Sequence, residues 1–175
     1  MRYRRSMAEG GTWFFTVNLA DRRQDYLTRH IDVLRQVVRQ VRNRHPFEIV
    51  AMVVLPDHFH AVWALPQGDA DYATRVALIK AAFSRNLPKV ERIRESRERK
   101  RERGIWQRRY WEHQIRDAAD LQAHVDYIHY NPVKHGHVER VADWPYSSFH
   151  RYVRHGWLPA DWAGESVAMV EGITT

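Results

Sequence analysis

The sequence predicts an α+β fold of the ferredoxin-like, split β-α-β type: an antiparallel four-stranded sheet with an extra C-terminal helix. Three observations carry this. Two apolar runs, 47–55 and 58–65, are separated only by Pro56-Asp57, which reads as a tight hairpin. Helical apolar spacing appears between strand-like segments rather than beside other helices. The resulting order, β-α-β-β-α-β-α, begins with the six elements of the split β-α-β motif.

Residues 12–19 (TWFFTVNL) are aromatic and β-branched, as a first strand requires. Residues 28–44 place Ile31, Leu34, Val38 and Val41 at helical spacing, with Arg35, Arg39 and Arg42 on another face. His45-Pro46 ends that helix. The run 47–55 is nearly all apolar, which suits a buried central strand, and 58–65 follows as its antiparallel neighbour. Residues 72–87 read as a second helix, with Val76, Ile79, Ala82 and Phe83 on one side. A short fourth strand is expected at 110–115, then a third helix over 118–130. Asp117 is its N-cap, Asp120 sits in a capping-box position, and Pro132 stops it soon after Asn131.

A chain of 175 residues suits one domain, assigned to 1–150. Residues 151–175 are expected to form a tail that packs on the body or on DNA. The segment 144–175 is too aromatic for a free linker, with Trp144, Tyr146, Phe149, Tyr152, Trp157 and Trp162. There are no cysteines, which excludes disulfides and thiolate metal sites. There is no apolar run long enough to span a bilayer and no signal-peptide core, so a cytoplasmic location is expected.

The net charge is +7, and ten Lys/Arg against four Glu within 89–109 account for +6 of it. Such a segment is either a solvated helix laced with Glu–Arg pairs or a polyanion-binding surface. The candidate DNA contacts are Arg92, Arg94, Arg97, Arg99, Lys100, Arg101, Arg103, Arg108 and Arg109, with Arg2, Arg4 and Arg5 near the N-terminus. Arg108, Arg109, Tyr110 and Trp111 mix charge with rings, which suits phosphate contact or base stacking. For Trp13, Trp63 and Trp106, core packing is the plainer reading.

His58-Phe59-His60 carries the chemistry. On a strand, residues i and i+2 share a side, so the two imidazoles face one way while Phe59 faces the core. Paired imidazoles can grip a divalent metal. Tyr127 and Asn131 lie four residues apart on the third helix and share a face. The Asn131 amide oxygen is a candidate third ligand, which leaves the Tyr127 phenol beside the metal as a nucleophile. Tyr130 is the rival nucleophile, but the residue four positions on is Lys134, which offers no ligand. His124 and His129 remain outside the set.

These residues resemble a known family. Leu55-Pro56-Asp57-His58-Phe59-His60, together with Asp126-Tyr127-Ile128-His129-Tyr130-Asn131-Pro132-Val133-Lys134-His135-Gly136, is similar to the REP-associated tyrosine transposases. These are relatives of the single-tyrosine HUH transposases of small insertion sequences. The likeness covers roughly 1–150 and includes 106–116 and Trp144-Pro145-Tyr146-Ser147-Ser148. It implies the HUH nuclease fold, with the nucleophile on the extra helix. It also implies metal-dependent cleavage and rejoining of single-stranded DNA through a 5′-phosphotyrosine, acting on palindromic repeat hairpins. By position, His58 and His60 match the metal-binding pair, Tyr127 the nucleophile and Asn131 the third ligand. Many insertion-sequence relatives carry Gln where this chain has Asn131, one methylene shorter. The expected metal is Mg²⁺ or Mn²⁺, although two imidazoles are a more natural site for Mn²⁺ or Zn²⁺. A monomer is expected, with a dimer as the alternative, in a bacterial, nucleoid-associated setting. Two other readings stand beside this one: a catalytically silent hairpin-binding protein, and a metal nuclease that activates water.

Overall fold

The computed structural model describes residues 10–89 and 103–164. Its elements are β1 (Thr12–Asn18), α1 (Tyr26–Arg29), α2 (Ile31–Arg44), β2 (Glu48–Val54), β3 (His58–Ala64), α3 (Tyr72–Asn86), β4 (Trp111–Gln114), α4 (Ala118–Lys134), a 3₁₀ turn (Val141–Asp143) and α5 (Phe149–Arg154). The strands form one antiparallel sheet in the order β2-β3-β1-β4. The α+β, split β-α-β expectation therefore holds.

Strand alternation divides the core in two. Trp13, Phe15 and Val17 of β1 join Phe59, Ala61 and Trp63 of β3 on one face, covered by α2 and α3 through Leu34, Val38, Ile79 and Phe83. Phe14, Ala51, Val53 and Val62 point to the opposite face and meet Val125, Tyr127 and Ile128 of α4. The extra helix thus makes a third layer. Each buried large side chain contributes ~1.5–3 kcal/mol relative to exposure, so α4 is anchored over the sheet. Phe14, wholly buried, lies 4.7 Å from the His124 ring and 6.1 Å from the Tyr127 ring. Trp13, Trp63 and Trp106 are all buried.

Two expectations are corrected. The helix expected over 28–44 is two helices: α1 ends at Arg29, and His30, outside helical geometry at φ −114° and ψ 38°, caps both. The α1 turn is pinned separately, because Leu27 is buried and its N–H donates to the Pro56 carbonyl. Pro132 does not end α4 either; the helix runs through it to Lys134. Pro132 lacks an N–H to give the Ile128 carbonyl, but its ring is buried and the last turn is closed otherwise. Gly136 (φ 70°) donates to the Val133 carbonyl and His137 to the Pro132 carbonyl, a Schellman stop.

At its start, α4 has Asp117 accepting from the Asp120 N–H at 2.8 Å. The Asp120 carboxylate reaches back to the Arg116 N–H, a near-capping box displaced by one residue. The outer edge of β2 is closed by the chain after α4. Val54 N–H donates to the Tyr146 carbonyl, Ser148 N–H to the Met52 carbonyl, and Tyr152 Oη to the Val50 carbonyl. Covering an edge in this way blocks unwanted strand pairing. Among the described residues, no helix is long and apolar enough to cross a membrane.

Candidate active site

His58 and His60 both project from β3 toward α4, and both are buried. The face is fixed by register: Thr16 of β1 pairs with His60, and its hydroxyl lies 2.8 Å from His60 Nδ1. His58 Nδ1 stands 2.8 Å from Asp57 Oδ1, which accepts its proton. Arg22 holds the other oxygen of that carboxylate. The Nδ1 edges of both rings are thus engaged, whereas both Nε2 atoms are buried with no hydrogen-bond partner among the described residues. A metal-binding histidine commonly has this arrangement, one nitrogen oriented by a carboxylate or hydroxyl and the other left as donor.

Electrostatics keep the donors available. Burial, reinforced by His58, His135, Lys134 and Arg22, holds the His60 imidazole well below its ordinary value, so its lone pair stays free. For Asp57, burial alone would raise the carboxyl. The hydrogen bonds from His58 and Arg22 outweigh that and hold it well below the usual carboxylate range. An ionised Asp57 therefore stands behind His58.

Helix α4 brings Tyr127 and Asn131 to the same place, one turn apart. The Tyr127 ring lies edge-on to His60 at 5.2 Å. Its hydroxyl is buried without a hydrogen-bond partner, as are both atoms of the Asn131 amide. Burial pushes the Tyr127 phenol above its ordinary value; Asn131 lies close enough to draw it partway back without meeting hydrogen-bond geometry. Lys134 Nζ lies 4.9 Å from the centre of the Tyr127 ring. Four buried groups on two elements thus converge without internal partners: two imidazole nitrogens, an amide and a phenol. A buried polar group without a partner is costly and uncommon, and this donor set fits a divalent cation held by His58, His60 and Asn131.

Several neighbours were not visible to sequence reasoning. Asn18 of β1 pairs with His58, and its Oδ1 is buried without a partner. The His135 ring stands 5.4 Å from that of His58. Thr16, Arg22 and the carboxylate of Asp57 orient the imidazoles; in the sequence, Asp57 shows only as a turn residue. Tyr130 is not part of the cluster. His129 faces α5, with Nε2 at 2.9 Å from Ser148 Oγ. His124 belongs to a second group, with His113 and Asp120, whose ligand atoms lie within 4.8 Å of one another. Its carboxylate oxygens are engaged by His113, Arg116 and His124, which ties β4 to the start of α4.

Among the basic candidates, Arg103 turns its guanidinium to the Ser84, Leu87 and Pro88 carbonyls, capping α3. Arg108 and Arg109 are exposed just before β4. Arg92, Arg94, Arg97, Arg99, Lys100 and Arg101 lie outside the described residues, as do Arg2, Arg4 and Arg5.

The chain matches known proteins along most of its length. An Escherichia coli K12 protein named REP-associated tyrosine transposase is 48% identical over 163 residues, 93% of this chain and 91% of that one. A Haemophilus influenzae protein provisionally given the same name is 50% identical over 171 residues, 97% of each chain. A solved structure of a REP-associated tyrosine transposase bound to a REP hairpin superposes with a TM-score of 0.82 at 47% identity, covering 94% of this chain and 92% of that one. The profile of the family described as "Transposase IS200 like" covers residues 13–131, the span that contains His58, His60, Tyr127 and Asn131. The chain belongs to the IS200-like transposase family.

Proposed function

We propose that this protein is a metal-dependent tyrosine transposase that cuts and rejoins single-stranded DNA at palindromic repeat hairpins, with Tyr127 as nucleophile. The observation that carries it is that Tyr127 Oη, the Asn131 amide, His58 Nε2 and His60 Nε2 are all buried and unpartnered, with the His60 ring 4.9 Å from His58 and 5.2 Å from Tyr127 and Asn131 close to the phenol. The named relatives and the hairpin-bound neighbour support the choice of substrate.

In the proposed step, the Tyr127 oxygen attacks a backbone phosphate. The Tyr127–phosphorus bond forms, the bond from phosphorus to the 3′ oxygen breaks, and the phenol gives up one proton as the departing 3′ oxygen gains one. A bound divalent cation, Mg²⁺ or Mn²⁺, supplies Lewis acidity to the phosphate there. His58, His60 and Asn131 hold it; Asp57 and Thr16 fix the imidazole orientations. Lys134 adds positive charge beside the attacking phenol, where the phosphate's negative charge gathers. The stored phosphotyrosine allows the reverse attack by a 3′-hydroxyl, which rejoins strands. All four proposed site residues come from one chain, which supports a unit complete as a monomer. The setting proposed is the cytoplasmic nucleoid, where such hairpins and a basic protein meet.

A hairpin oligonucleotide with an unpaired foot, labelled 3′ of the cut, is incubated with Mg²⁺ or Mn²⁺ and run on a denaturing gel. A labelled band at protein mass is expected, absent in Tyr127→Phe and after chelation. Hairpin binding without adduct or cleavage in either metal would replace this reading with a silent binding protein. Cleavage without adduct would point to an activated water.

A further inference from the structure

Among the described residues, Trp111 and Trp157 are the large apolar side chains left exposed, at 45% and 61%. Trp157 is stacked on His155 at 4.6 Å and meets Tyr152. Among the described residues no ring packs against Trp111, which opens β4, whose sheet partner is β1. A bare aromatic side chain on an edge strand is unusual, because edges are normally protected by charge or bulges.

Its position is the informative part. Thr16 pairs with His60 on one side and with Trp111 on the other. Residues directly opposite across antiparallel strands put their side chains on the same face. The Thr16 hydroxyl is bonded to His60, so this is the face that carries the His pair and Tyr127. Trp111 thus stands two strands from His60, about 10 Å at the usual strand spacing. Asn18 lies on the same face, with its Oδ1 unpartnered. Arg108 and Arg109, both exposed, lead into the strand. Exposed indole beside arginine is the chemistry that holds single-stranded nucleic acid, rings stacking on bases while guanidinium groups meet phosphates.

We propose that Trp111 is the stacking platform for a base of the single-stranded segment adjoining the phosphate attacked by Tyr127. This rests on the strand-transferase reading above. The base is recognised by its face rather than its edge, so Trp111 contributes affinity and alignment with little sequence preference.

The test compares a hairpin oligonucleotide bearing an unpaired foot with the same hairpin trimmed flush, by fluorescence anisotropy, for wild type, Trp111→Ala and Trp111→Phe. Loss of one base–aromatic stack is expected to weaken binding of the footed hairpin about tenfold in Trp111→Ala. Phenylalanine should restore most of it, and the flush hairpin should bind alike to all three. Unchanged affinity for the footed hairpin in Trp111→Ala, or an equal loss on the flush hairpin, would overturn the platform. Adduct formation by wild type, measured alongside, separates the two ideas. An adduct with unchanged Trp111→Ala affinity removes only the platform. A foot-specific loss without any adduct keeps the platform and removes the transferase.

Discussion

Replacing Asn131 with leucine is expected to stabilise the metal-free protein. Asn131 is fully buried, and both atoms of its amide lack a partner. Each buried unsatisfied polar atom costs ~1–3 kcal/mol. Leucine has the same heavy-atom branching but is bulkier, carries no polar atom and favours a helix by a few tenths of a kcal/mol over asparagine. Its extra bulk in a fully packed site returns ~1–3 kcal/mol. The net gain is on the order of 1–3 kcal/mol, or roughly 2–10 °C in Tm for a chain of this size. Metal narrows the difference. Mn²⁺ at a hundred times its Kd stabilises wild type by ~2.7 kcal/mol, and a tenfold weaker site gains about 1.4 kcal/mol less. Urea unfolding in chelator and then in Mn²⁺, for both proteins, measures each term. A variant less stable than wild type in chelator would mean that the amide makes structural bonds, and the assignment of Asn131 as a ligand poised for metal would fail.

Other perturbations test the frame around the site. Burial, with Arg151 and His150 nearby, lowers His129 to about 3. A histidine held neutral contributes stability that is complete above its unfolded value of ~6.5 and lost as pH falls toward the folded value. The loss approaches ~1.4 kcal/mol per pH unit below ~6.5. Urea unfolding of His129→Gln between pH 6.5 and 5 should show a shallower decline than wild type; equal slopes would mean that His129 is not held neutral. Arg75, 3% exposed, forks onto Asp69 and donates to the His45, Pro46 and Asp71 carbonyls. Arg75→Ala is expected to cost ~1–3 kcal/mol, because it removes the buried guanidinium that ties the half-buried Asp69 carboxylate to three backbone carbonyls. Arg75→Lys should recover little, since an ammonium cannot span the same fork. An unfolding loss below about 1 kcal/mol in Arg75→Ala would show that the network is dispensable.

The sequence made the strands and the candidate site residues legible for one reason: each signal was local. His58 and His60 are two apart on a strand, and Tyr127 and Asn131 are four apart on a helix, so the chain's own periodicity puts each pair on one side. What stayed hidden depends on pairing between distant segments. Thr16 meets His60 across 44 positions, and no spacing rule points to it. Asn18 is hidden in the same way. Arg22 looks like one arginine among many until the loop after β1 folds over Asp57. The break at His30 has no proline or glycine to mark it; Leu27 turns the chain by being buried. Pro132 misled for the opposite reason. A proline forbids one hydrogen bond, but a buried ring and a Schellman stop let α4 continue for two residues. Arg103 shows the limit of reading charge by composition, because its guanidinium serves helix carbonyls.

The stop after Lys134 also bears on the field at the proposed metal site. The proposed ligands, two imidazoles and an amide, are uncharged, so they bring a divalent cation no neutralising charge. Helix α4 ends three residues beyond Asn131, which places the negative pole of its peptide dipoles beside that ligand. A helix end of this kind is equivalent to roughly half an elementary charge and contributes ~0.3–1 kcal/mol to a nearby cation. Phosphate-binding helices present their positive pole to the substrate. Here the opposite pole serves the cation, and the substrate phosphate becomes the group that completes its charge. Affinity for metal and affinity for DNA should therefore rise together, each strengthening the other through the same few ångströms of helix.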